Sequence, residues 1–198
     1  MYIFDESSLR KELTNLPDRM RVAFAAAAAT RQLRNSERML RELDAKLEQC
    51  PRQIAIQLWN DIQSGTLDSA IWSARLDEVM GLLPDESDEW KVIHALADDA
   101  LSSLAYAIRC FLAPEPQESA WAARRAYEAV DQAAIRALAL QPNGPQTESA
   151  ILSHAFVQRE LQRQRNDLDM LQAGLVAEVR RQAFENEILT ETEISAVL

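Results

Sequence analysis

Proline placement constrains this chain more than any other feature. Its seven prolines, at positions 17, 51, 84, 114, 116, 142 and 145, all fall between segments whose apolar residues recur at helical spacing, and none falls inside one. Proline removes a helix donor and is tolerated mainly in a first turn or a loop, so these residues mark element ends. Only four glycines occur, and β-branched and aromatic residues are sparse beside Ala, Leu, Glu, Gln and Arg, which are good helix formers. The chain therefore reads as all-α: a single-domain helical bundle over residues 1–198, of about seven to nine helices. A chain of 198 residues suffices for one core without disulfide or metal staples.

The intervals can be assigned in turn. A short helix opens after Asp5 with Leu9, Leu13 and Leu16 on one face, and Pro17 suits the first turn of a second helix running to about Arg34. Asn35 and Ser36 are candidate caps for a third, carrying Leu40, Leu43 and Leu47. Pro51 starts a fourth, with Ile54, Leu58, Trp59 and Ile62, which Gly65 is placed to end. A fifth covers Ser69 to Leu82, and a sixth aligns Ile93, Ala97, Ala100, Leu104, Ile108 and Phe111 in one apolar stripe. The seventh begins after Pro116, with Ala123, Tyr127, Val130, Ala134 and Ala137 forming a stripe narrow enough for close approach of another helix. Beyond the break at Gln141 to Pro145, His154, Val157, Leu161, Gln164, Leu168, Leu171 and Leu175 recur at spacings of three and four. This predicts one long C-terminal helix, from Thr147 to Phe184, whose heptad line can pack along the bundle or against a second copy in a homodimer. The residues after Leu189 read as a frayed last turn.

The second helix contains five successive alanines, Ala25 to Ala29, between Arg21 and Arg31. The nine residues between those arginines are too few to cross a bilayer, which takes roughly 20. Five alanines sweep about 400° around a helix, so the segment is smooth on every side and open to neighbours from several directions. It is the expected structural middle of the molecule, pinned by Phe24 and closed by Arg31.

Charge narrows the function classes. The net charge is −10, and residues 1–50 carry nine basic and eight acidic groups, so the excess acid lies beyond them. Such a surface repels phosphate backbones, which argues against nucleic acid as a partner. The N-terminal M-Y-I-F-D-E-S-S is acidic where a signal peptide is basic, so no membrane association and a cytoplasmic location are the expectation. Cys50 and Cys110 lie far apart without a CxxC pair, which suggests buried free thiols. No phosphate-binding glycine motif, nucleophile elbow or HExxH zinc motif occurs, and His94 and His154 lack the ExxH partners of a di-metal bundle. No catalytic residue, metal ligand or cofactor is therefore assigned.

Five features remain as candidates. Arg31 extends the buried stripe of the second helix and either snorkels to water or forms a structural ion pair, with Asp98, Asp99, Glu128 or Asp131 as partner. Asp98 and Asp99 fall on opposite sides of the sixth helix away from its apolar stripe and are expected to face solvent or a neighbouring charge. Trp72 and Trp121 fall outside clear stripes and form a candidate interaction surface, the alternative being packing under a loop or helix. His94 and His154 read as packed or half-buried histidines, and the acidic run Pro84 to Glu89 as a loop leading into a helix N-terminus.

The segment L-P-D-R-M-R-V-A-F-A-A-A-A-A-T-R-Q-L resembles the opening of the YjaG-like family, a group of uncharacterised bacterial proteins, through Val22, Phe24, Ala25 to Ala29, Arg31 and Leu33. The sequence departs from that pattern after Arg31, where Arg34, Asn35 and Ser36 stand in place of aromatic residues. The resemblance implies an all-α cytoplasmic bacterial protein and supplies no catalytic residue. Two functions are weighed: a non-enzymatic acidic helical protein acting through an unknown protein partner, and a small-molecule binder or enzyme with a cavity between alanine-rich helices near Phe24 and Tyr127.

Overall fold

The computed structural model describes residues 1–44, 46–84, 91–139 and 145–198, and every regular element among them is helical. In order they are α1 (Glu6–Thr14), α2 (Asp18–Arg31), α3 (Leu33–Leu43), α4 (Cys50–Ser64), α5 (Ser69–Met80), α6 (Val92–Leu112), α7 (Pro116–Ala137), α8 (Pro145–Ser153), α9 (Ala155–Gln172), α10 (Val176–Glu185) and α11 (Glu191–Val197). Local chemistry sets many of the boundaries. Asp5 accepts the Ser8 amide to start α1, Asp68 accepts those of Ala70 and Ile71 to start α5, and Pro116 occupies the first turn of α7. Gly65, at φ +72°, closes α4 in a left-handed conformation that a side chain would strain.

α2 occupies the centre. The long pair α6 and α7 packs together and against it, and α4, α9 and α10 enclose its other sides. Every residue from Arg21 to Arg31 is buried. A helix of ordinary side chains would hold its neighbours about 8–10 Å away and keep one face wet, whereas alanine on every side permits close approach all round. Arginines fix both ends. Arg21 donates to the carbonyls of Leu13, Leu16 and Pro114, and Arg31 anchors the C-terminal turn.

The chain has eleven helices among the described residues, because the expected single C-terminal helix is three. His154 adopts an extended conformation and its Nδ1 accepts the Phe156 amide at 3.3 Å, so it caps α9 rather than packing in a continuous helix. Gly174, at φ +79°, ends α9, since only glycine enters that region without steric cost. Within α9, Val157, Leu161, Gln164, Leu168 and Leu171 are all enclosed by this chain. That part of the line packs against the rest of the fold, whereas Leu175, the last residue of the line, is 50% exposed.

Three smaller expectations are also corrected. Asn35 and Ser36 do not cap α3; Gln32 alone separates α2 from α3, and both residues are buried in the first turn. The Ser36 hydroxyl donates to the Leu33 carbonyl, and no protein group among the described residues bonds the side-chain amide of Asn35. Leu43 and Leu47 do not continue the core stripe of Leu40, because α3 stops at Leu43 and turns outward. The last residues form an ordered helix rather than a frayed turn: Thr190 and Glu193 make a reciprocal capping box, and Ile194 and Val197 are buried. Past Pro84 the acidic run lies outside the described residues, as does the Gln141 loop up to Gly144. No described helix is long and apolar enough to cross a membrane.

Candidate functional site

Where α2 ends against α9, the guanidinium of Arg31 holds two carboxylates. Its Nε and Nη2 donate to the two oxygens of Glu160 at 3.1 and 2.9 Å, and its Nη1 donates to Asp167 at 2.6 Å. All three side chains are enclosed. Glu160, Gln164 and Asp167 are spaced four and three apart, so one face of α9 presents all three to α2. Gln164 donates to Glu160 at 3.1 Å and to the Ala123 carbonyl of α7 at 3.1 Å. The C-terminal segment closes over the turn, with the Ile188 amide donating to the Arg31 carbonyl at 2.8 Å. Burial opposes the Arg31 charge, but Asp167 and Glu160 outweigh it and raise the guanidinium pKa. Burial raises that of Asp167, because one guanidinium is shared between two carboxylates.

The partners expected for Arg31 are elsewhere. α2 meets α9 at its C-terminal end, whereas Asp98, Asp99 and Glu128 surround Arg125 between α6 and α7, at 3.6, 3.1 and 3.4 Å from its Nη1. Asp131 accepts from the Tyr127 hydroxyl. Of the two settings expected for Asp98 and Asp99, a neighbouring charge holds: both face Arg125, Asp99 at 5% exposure and Asp98 half-buried. Desolvation pushes the Asp99 carboxyl up to about 7, against the pull of Arg125. A carboxyl whose pKa is higher folded than unfolded takes up a proton on folding, so its contribution to stability falls as pH rises from 3.8 to about 7. Asp99→Asn removes that contribution. The variant is expected to melt about 5 °C above the parent at pH 8, with the excess shrinking at pH 5 and gone by about pH 3, as read by circular dichroism.

Trp72 is not part of an outward surface. It is 0% exposed, with its Nε1 donating to Asp61 at 3.0 Å and its ring edge-on to Phe111. Trp121 is half-buried with its ring against Tyr106 at 5.4 Å between centroids. Cys110 is buried beside Ser119, and burial pushes its thiol up to about 11. Cys50 is half-buried rather than buried; it donates to Glu78 and is pushed up to about 12, chiefly by desolvation. The His94 Nδ1 accepts the Lys91 amide at the start of α6. Among the described residues no group of three or more His, Cys, Asp or Glu side chains is placed to hold a metal ion.

Two concavities stand out. One, of about 380 Å³, lies between the end of α3 and the end of α5 and is walled by Met39, Leu40, Leu43, Leu47, Leu82 and Leu83. Of the residues lining it, Leu43 is 67% exposed and Leu47 36%. The second, of about 230 Å³, lies between the N-terminal residues, α1 and α9, with Gln164 in its lining. The crossing of α2 and α7, where the alternative reading put a cavity, is occupied instead: Phe24 and the five alanines are buried, and Tyr127 stacks on Phe4 at 4.9 Å. Helical periodicity concealed the exposed leucines at the end of α3, because it counted them as core.

Neither a family model nor a curated protein matches this sequence. Among solved structures the chain is similar to a DUF416 family protein from Shewanella baltica, with a TM-score of 0.74 and 17% identity over 89% of this chain and 93% of that one, a likeness that establishes the fold alone.

Proposed function

We propose that the protein is a cytoplasmic, non-enzymatic helical scaffold of the YjaG-like kind, acting through protein–protein interaction. The groove between α3 and α5 receives a basic amphipathic helical segment of a partner. The observation that supports this is the exposure of Leu43 and Leu47 in the lining of an apolar groove, since contiguous exposed apolar surface marks interaction sites. Charge selects the partner's chemistry. Between Arg41 and Glu48 two basic groups face three acidic ones, between Arg75 and Glu78 one faces two, and the whole chain carries −10. An apolar trough with acidic flanks fits a helix with an apolar face and lysine or arginine beside it.

A synthetic Leu/Lys amphipathic helix, labelled for fluorescence anisotropy, provides the test. The expected result is saturable micromolar binding that weakens at least tenfold in Leu43→Asp/Leu47→Asp. Those substitutions add negative charge, so purely electrostatic attraction would tighten instead. Unchanged or tighter binding in the variant, or none to the parent, would overturn the proposal.

A further inference from the structure

We infer that the cleft between the N-terminal residues, α1 and α9 is a binding site for a small ammonium ligand with an apolar body, recognised by the carbonyl oxygen of Gln164. Gln164 is 4% exposed yet lines the cleft. Both hydrogens of its Nε2 are committed inward, to the Ala123 carbonyl and to a Glu160 carboxylate oxygen. The reversed amide would set its oxygen against those two acceptors, so the orientation is determined by the protein. That leaves the carbonyl oxygen as the polar atom the residue offers to the cleft, and no protein group among the described residues bonds it. Because Glu160 is itself held by Arg31, the acceptor is positioned by the core and not by a mobile surface chain.

The surroundings define the rest of the ligand. Leu9, Leu161 and Leu168 supply apolar wall, and about 230 Å³ admits a single ring or a short alkyl chain. At the rim Glu12 and Arg165 pair at 2.7 Å, which leaves Asp5 as the charge in excess. Asp5 accepts from Ser8, and that hydrogen bond holds its carboxyl below the ordinary carboxylate range, so it is ionised at neutral pH. An acceptor at the base and a net negative rim favour an ammonium over an anion, and a hydrogen-bond donor over a group that only accepts.

The experiment uses the full chain with labelled leucine methyl groups, titrated in parallel with 2-phenylethylamine and with acetophenone, which has a similar body and no donor. Saturable shifts of the Leu9, Leu161 and Leu168 methyls are expected for the amine, with acetophenone binding at least tenfold more weakly, the usual span of one charge-assisted hydrogen bond. Gln164→Leu should abolish that preference. Leu9→Trp, which fills the cleft from the opposite wall without touching the Arg31 cluster, should abolish binding of both. The inference is overturned if the amine produces no saturable shift at these methyls, if acetophenone binds as tightly, or if the preference persists in Gln164→Leu. Should Gln164→Leu not fold, continued amine shifts at Leu161 and Leu168 in Leu9→Trp overturn it equally.

Discussion

Arg31→Met is expected to destabilise the protein by about 3–5 kcal/mol, a loss on the order of 10 °C in Tm, because it strands Glu160 and Asp167 as neighbouring buried carboxylates. The loss comes from what remains, not only from what is removed. Burial already raises the Asp167 carboxyl, and without the guanidinium that rise is unopposed, so stability should be regained as pH falls. Arg31→Met combined with Glu160→Leu and Asp167→Leu should recover most of the deficit at pH 7, since a buried ion network replaced by apolar side chains is often neutral or stabilising. Thermal melts of the single and triple variants at pH 5 and pH 8 check this. A single variant with parental Tm at pH 8 contradicts it.

Ala27→Leu is the second large effect, expected to cost about 3 kcal/mol, the upper end for overpacking. Most core positions can relax toward a softer neighbour or a wet edge. Ala27 has neither, because the alanine run is buried throughout and α4, α6, α7, α9 and α10 surround the helix. The added branch must push whole helices apart. The same substitution at Ala137, exposed at the end of α7, should change stability by less than about 0.5 kcal/mol. Chemical denaturation of the two variants provides the comparison, and equal losses would refute the close-approach explanation.

Much of this architecture was legible in the chain, and the failures have identifiable causes. Proline placement and apolar spacing located the helices up to α7, and the alanine run announced a helix without a wet face. The C-terminal breaks were missed because His154 and Gly174 sit within an unbroken three-and-four apolar spacing, and such spacing carries no information about φ. The choice for Trp72 between packing and an outward surface stayed open because α5 buries only Trp72 and Val79, seven residues apart, too few to make a stripe. The acids that hold Arg31 escaped attention because Glu160 and Asp167 each stand one residue before a heptad leucine. That rotation of about 100° passes for a solvated flank unless a second helix covers it.

A helix without an exterior has a bearing on cooperativity. Residues 160 and 167 reach Arg31 across more than a hundred positions of sequence, and α2 draws its enclosure from both halves of the chain. A fragment that ends before α9 leaves part of α2 uncovered and Arg31 without its carboxylates, so the burial of this one helix ties the first half of the chain to the second.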